Sequence, residues 1–335
     1  MKFYKLMFFL LMMSGTLISI SSYSWIGMWM GLEINLISII PLFSKINNMY
    51  SSESSIKYFI TQALASMIIL LSIIMLSLNN EMFLMMKKTF ILTMNSSLLT
   101  KMGAAPFHFW FPEVIEGLNW MNCLIILTWQ KIAPMVLIMY NFNFNLFFCL
   151  IILTSMLISM FMGMNQISMR KIMAFSSINH IGWMISTMFS SKSIWLIYFI
   201  VYSIISLNII LILNKFKIFF LNQLLLLMNN NNNLKLFFSL NFLSLGGLPP
   251  FLGFIPKWLT INELIKSNFI FLSFSMIILT LFTLFYYMRM ILSILIINHS
   301  NKLNFNFKMN NFLIFSLNLF TISSFLIIPL FFNML

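Results

Sequence analysis

Apolar runs of about twenty residues, separated by short polar clusters, recur from one end of the chain to the other. A bilayer core is crossed by roughly 20 apolar residues in a helix. The runs therefore predict eleven spans, near 3–22, 25–43, 56–78, 84–105, 119–140, 145–164, 172–189, 193–213, 235–261, 269–297 and 311–333. They are continuous rather than alternating, which argues against a membrane β-barrel. Connections are mostly short, so successive helices are expected as antiparallel neighbours. The longest, around 214–234, holds the run Asn229 to Asn233. Met1 to Ser22 resembles a signal peptide, but its apolar part runs on to Ile20 without a small-residue cleavage site, so a retained first span is expected. The pattern predicts an all-α polytopic bundle forming a single domain over 1–335.

Composition strengthens this picture. Of 335 residues, 61% are hydrophobic and only 7% charged, against about 25% charged in soluble domains. Too few charges remain to build a solvated surface. Formal net charge is +13, with no aspartate. The lysines are scattered between apolar runs with no basic cluster and no stacking platform, which argues against nucleic-acid binding. They are also lopsided. Lys2, Lys5, Lys45, Lys57, Arg170, Lys171, Lys215, Lys217, Lys235, Lys302 and Lys308 fall on the side of the N-terminus. Lys87, Lys88, Lys192 and Lys266 fall opposite. The positive-inside rule then puts the N-terminus in the compartment of synthesis. An odd number of spans puts the C-terminus across the membrane. Cys123 and Cys149 lie in apolar runs without metal-ligand spacing, so no zinc site or iron–sulfur cluster is expected in this chain. The bias towards Asn, Ile, Met, Phe, Leu and Lys is that of an AT-rich organelle genome.

Four charged residues, Glu33, Lys101, Lys131 and Lys257, stand out well inside the expected spans, where charge is costly. Glu33 follows Gly27 and Gly31, a G-x-x-x-G pair suited to close helix approach. Lys101 lies thirteen residues beyond Lys88, about 20 Å along a helix. Lys131 sits near the centre of its run, in Trp129-Gln-Lys-Ile-Ala-Pro134, and Lys257 follows Pro256. Snorkelling accounts for Lys87, Lys192 and Lys266 near run ends, and accounts poorly for Lys131. Ion pairing is the other structural explanation, but Glu33 is the only deep carboxylate. A buried lysine whose charge depends on a nearby carboxylate can take up and release a proton, which an arginine cannot. Glu33, Lys101, Lys131 and Lys257 are therefore candidates for proton translocation.

Two expected helix breaks adjoin these lysines. One is Gly103-Ala-Ala-Pro106; the other comprises Gly246, Gly247, Pro249, Pro250, Gly253 and Pro256. Backbone freed at membrane depth persists only where protein or a wet cavity covers it, and discontinuous helices are a device of ion transporters. His108 and His180 are possible relay residues, since imidazole titrates near neutrality, although a histidine with polar neighbours is more often a hydrogen-bonded packing residue. Glu113 and Glu116 fit a solvated turn.

Four segments carry a family resemblance. Lys101-Met-Gly-Ala-Ala-Pro-Phe-His-Phe-Trp-Phe-Pro-Glu113, Thr128-Trp-Gln-Lys-Ile-Ala-Pro134, Arg170-Lys-Ile-Met-Ala-Phe-Ser-Ser-Ile-Asn-His-Ile-Gly-Trp183 and Gly247-Leu-Pro-Pro-Phe-Leu-Gly-Phe-Ile-Pro-Lys-Trp258 closely resemble the mitochondrial NADH dehydrogenase subunit 2 family, in its insect form. That family comprises antiporter-like core subunits of the membrane arm of respiratory complex I. The resemblance implies eleven spans with a matrix-side N-terminus in the mitochondrial inner membrane. By matching motif it implies a glutamate–lysine pair at Glu33 and Lys101, a central lysine at Lys131 and a lysine after the second break at Lys257. It implies no cofactor in this chain, with NAD, FMN, iron–sulfur clusters and ubiquinone held by partner subunits. The partners it implies are other core and accessory membrane-arm subunits and membrane lipids. The alternatives are a stand-alone cation/proton antiporter and a structural scaffold whose charges only pair.

Overall fold

The computed structural model describes residues 3–44, 48–78, 86–228, 232–249 and 251–296, with the isolated positions 316 and 318. Nearly all of the span expected at 311–333, together with Asn229 to Asn231, Pro250, Lys2, Lys45, Lys302 and Lys308, lies outside the described residues.

Fourteen helices make up nearly all of the described chain. They are α1 (Phe3–Ser21), α2 (Trp25–Phe43), α3 (Met49–Ser77), α4 (Lys87–Met102), α5 (Trp110–Gly117), α6 (Trp120–Leu127), α7 (Trp129–Tyr140), α8 (Asn145–Met164), α9 (Met169–Thr187), α10 (Lys192–Phe216), α11 (Leu221–Met228), α12 (Asn232–Gly246), α13 (Phe254–Lys266) and α14 (Ile270–Ile296). Among the described residues the extended pairing is a single bridge between Ser168 and Phe220. Among the described residues, seven stretches are long and apolar enough to cross a membrane by length and composition. One of them, 120–140, spans α6 and α7 together. The others expected before residue 297 are shorter or more polar helices. In particular α9 is buried at Met169 and at every position from Ile172 to Thr187, so its serines, Asn179 and His180 face protein.

The chain divides into two compact units, Met1–Ile151 and Ile152–Leu335. In the first, α2 packs on α1 and α3, α4 packs on α3 and α7, and α5 lies on α3. In the second, α9 and α10 pack on each other and on α13, while α14 packs on α12, α11 and α13.

The close approach of α1 and α2 runs through Gly31 of the G-x-x-x-G pair, opposite Gly15 on α1, while Gly27 meets Ser22 and Ser24 instead. A Cβ on Gly31 would lie 2.5 Å from Ser19 N and 2.8 Å from Gly15 O, both backbone atoms. Gly27 lies in the first turn of α2, where its N–H donates to the capping hydroxyl of Ser24 at 3.2 Å. Backbone cannot yield as a side-chain tip can, so Gly31→Ala is expected to separate α1 from α2. Overpacking of this kind costs about 1–3 kcal/mol. The expected result is a clear fall in the steady-state amount of assembled protein on native gels; wild-type abundance would refute it.

The runs expected at 119–140 and 235–261 are each two helices. The first breaks at Thr128, whose hydroxyl donates to Leu124 O at 2.7 Å. Such back-bonding competes with the helical ladder and bends it. The second breaks where Gly247 takes φ +75°, a left-handed conformation that favours glycine.

Candidate functional site

The first unit gathers polar side chains from four helices around a small cavity. Leu32, Asn35 and Leu36 come from α2, Tyr58 and Gln62 from α3, Lys101 from α4, and Gln130 and Pro134 from α7. It encloses about 10 Å³, room for roughly one water. Asn35 and Gln130 clasp each other in both directions, Asn35 Nδ2 donating to Gln130 Oε1 at 3.0 Å and Gln130 Nε2 to Asn35 Oδ1 at 3.1 Å. Tyr58 donates to the same Gln130 oxygen at 3.4 Å, and Gln62 Nε2 donates to Lys101 O at 3.3 Å. Buried amides are stable only when paired in this way.

Lys101 is buried in the last turn of α4, the end of a helix that favours a cation. Gly103 follows in the left-handed conformation at φ +73°, and the Ala105–Pro106 bond is cis. Glu33 is half-buried on α2, two residues before Asn35 of the cavity wall. No direct ion pair within 4 Å joins it to Lys101 among the described residues.

The break after Lys101 also shapes the surroundings of Lys131. The chain turns back through His108 into α5, burying Phe111. A Cβ on Gly103 would lie 2.8 Å from the Phe111 ring, so only glycine leaves room for it. Lys131, 1% exposed, points its Nζ over that ring, 5.7 Å from the centroid. A ring face attracts a cation at this range.

The second unit repeats the arrangement. Lys257 lies in the first turn of α13, buried, with its Nζ 5.6 Å from the Trp183 ring centroid. The ammonium donates to Gly246 O at 2.8 Å and Leu245 O at 3.4 Å, carbonyls left open where α12 stops. Pro256 lies in the same first turn, where a missing N–H is harmless. Pro249 lies in the connecting turn.

His180 is buried on α9, its Nδ1 2.9 Å from the Tyr198 hydroxyl and its ring 5.0 Å from that of Tyr202. Asn179 donates to Thr283 at 3.3 Å. His108 is buried with Nδ1 3.3 Å from Pro106 O. Glu113 opens α5 and forms an exposed ion pair with Lys57 at 2.9 Å.

The sequence reading missed Asn35, Tyr58, Gln62 and Gln130. Two signals were available: Asn35 stands two residues after Glu33, and Gln130 adjoins Lys131. An amide deep in a span carries the same cost as other polar groups there and implies a partner.

Both units thus hold buried lysines beside interrupted helices, and comparison with known proteins gives the family. The NADH:quinone oxidoreductase/Mrp antiporter transmembrane family matches residues 22–283. The chain belongs to this family. It is 52% identical over 312 residues to NADH-ubiquinone oxidoreductase chain 2 of Anopheles gambiae, covering 91% of each chain. It is 52% identical over 329 residues to the protein of that name from Aedes aegypti, covering 96% of each. A chain in the structure of respiratory complex I from Thermus thermophilus superposes with a TM-score of 0.86 at 20% identity. That match covers 98% of this chain and 79% of the other, and it shows the antiporter-like fold of the family.

Proposed function

We propose that the chain is a core membrane-arm subunit of an NADH:ubiquinone oxidoreductase and moves protons across the mitochondrial inner membrane. The observation that carries this reading is the burial of Lys101, Lys131 and Lys257 in apolar helices, each within a turn or so of a helix break. The names of the insect relatives support the assignment to that complex.

In this reading Glu33 tunes the charge on Lys101, Lys131 passes the proton centrally, and Lys257 exchanges it with the far side or the next subunit. His108 and His180 are possible relays. The two units act as one antiporter-like domain, with the N-terminus in the matrix and the C-terminus in the intermembrane space. NADH oxidation and ubiquinone reduction, with their flavin and iron–sulfur centres, belong to partner subunits, and this chain contributes no redox step.

The test is protons pumped per NADH oxidised by assembled complex carrying Glu33→Gln or Lys101→Met. Both are expected to lower the ratio, Lys101→Met the more, because it removes the proton carrier rather than its neighbour. Reduced assembly with an unchanged ratio would instead assign the charges to scaffolding. Proton transport by the purified chain alone in vesicles, without copurifying NADH oxidase, would make it a stand-alone antiporter.

A further inference from the structure

One end of the second unit is basic throughout. Arg170 and Lys171 open α9, while Lys215 and Lys217 close α10. Met169 N donates to Phe219 O at 2.9 Å and Leu221 N to Ile167 O at 3.2 Å, which tie these ends together. The one carboxylate in residues 152–335 is Glu263. It lies near the end of α13, paired with Lys266 at 2.9 Å. That end meets the opposite terminus of α9, where the Phe189 and Phe269 rings stand 4.8 Å apart.

At the basic end a cavity of about 380 Å³ opens between α8, α11 and α14. Its polar lining comprises Asn165, Gln166, Asn222, Tyr286, Arg289 and Ser293. Arg289 is exposed, and it continues a surface stripe on α14 made of Phe282, Phe285, Leu292 and Ile296. Spacings of three and four residues place all five on one helix face. Arg289 lies seven residues before the end of α14, about 10 Å inside it. Phe161 and Met162, also exposed, precede the cavity wall on α8.

We propose that this cavity holds the phosphate of an anionic phospholipid against Arg289, with its acyl chains lying over the Phe282–Phe285–Leu292 stripe and Phe161. A lone guanidinium in an apolar, outward-facing stripe needs an anion or a reach to water. The cavity beside it is large enough for a headgroup and offers amide and hydroxyl groups to phosphate oxygens. Basic pockets between membrane helices are suited to anionic headgroups, and the surrounding cations favour a net negative lipid over a zwitterionic one. The proposal does not depend on proton transport.

The test uses assembled complex in detergent, labelled with photoactivatable phosphatidylglycerol or phosphatidylcholine. Phosphatidylglycerol is expected to label peptides covering 161–167 and 282–293, and inorganic phosphate is not expected to displace it. Arg289→Gln is expected to reduce labelling about fivefold, the weight of one cation near an anionic surface, while Arg289→Lys keeps most of it. Asn222→Leu, which narrows the cavity and retains the cation, is expected to reduce labelling as well and serves if Arg289→Gln does not assemble. Equal labelling by both lipids, or labelling indifferent to Arg289→Gln and Asn222→Leu, would reduce Arg289 to a snorkelling residue and overturn the proposal. Displacement by inorganic phosphate would identify a soluble anion site instead. Absence of labelling would mean that a protein neighbour fills the cavity.

Discussion

Lys131→Met in assembled complex is expected to lower the protons pumped per NADH to the share contributed by other subunits. Methionine keeps an unbranched apolar chain of similar length, so the packing of a side chain only 1% exposed is largely retained. What is removed is the ammonium over the Phe111 ring. A positioned proton-transfer group contributes about 10²–10⁴-fold, so flux through this subunit should fall by at least about a hundredfold. Lys131→Arg separates the two explanations for a buried charge. Arginine preserves a cation over a ring face but does not release its proton. A structural cation would be rescued by arginine, and a proton carrier would not. Both variants should therefore fail in pumping while NADH oxidation by the assembled complex, measured with an artificial acceptor, continues. Wild-type proton yield in both would remove Lys131 from the pathway.

The reason Lys131 stood out in the sequence is that its run is long enough to put it beyond the reach of water. Run length and interruption are one-dimensional properties, and what depends on them was legible. The ten spans expected before residue 297 all correspond to helices, and Gly103 and Gly247 mark turns with positive φ. What depends on which helix faces meet was not. Asn35 and Gln130 are 95 residues apart, and nothing local to either names the other. Gly31 announces a close approach, but only packing reveals Gly15 as its counterpart. The aromatic neighbours of the lysines are equally silent in sequence. With 39 phenylalanines in the chain, Phe111 differs from the rest only by the fold of the loop that carries it under Lys131. Thr128, where α6 gives way to α7, is one threonine among many in the chain, and nothing in its run marks it as a break.

Three neighbouring glycines at the second break should separate a fault in lysine placement from a fault in folding. A Cβ on Gly247 would lie 2.6 Å from Lys257 Cδ and 2.8 Å from its Nζ. The obstacle is the end of a flexible side chain, which can move away. The left-handed backbone adds about 1–2 kcal/mol for a non-glycine residue, which a well-packed bundle tolerates. Gly247→Ala should consequently assemble, yet hold the Lys257 ammonium away from the carbonyls of Leu245 and Gly246. Its proton yield should fall nearly as far as that of Lys257→Met. Gly246→Ala is the control, since its Cβ would meet Leu284 at 3.6 Å, an ordinary contact, and both assembly and pumping should stay near wild type. Gly253→Ala lies at the other extreme: its Cβ would fall onto Ser244 O, a backbone atom that closes the break, so assembly itself should be lost. Native gels read assembly, and proton uptake per NADH reads function. If Gly247→Ala assembled and pumped normally, the contact between Lys257 and the open end of α12 would have no part in proton movement, and the break would serve only to turn the chain. Loss of pumping without loss of assembly would tie the function to that single ammonium and the two carbonyls that hold it.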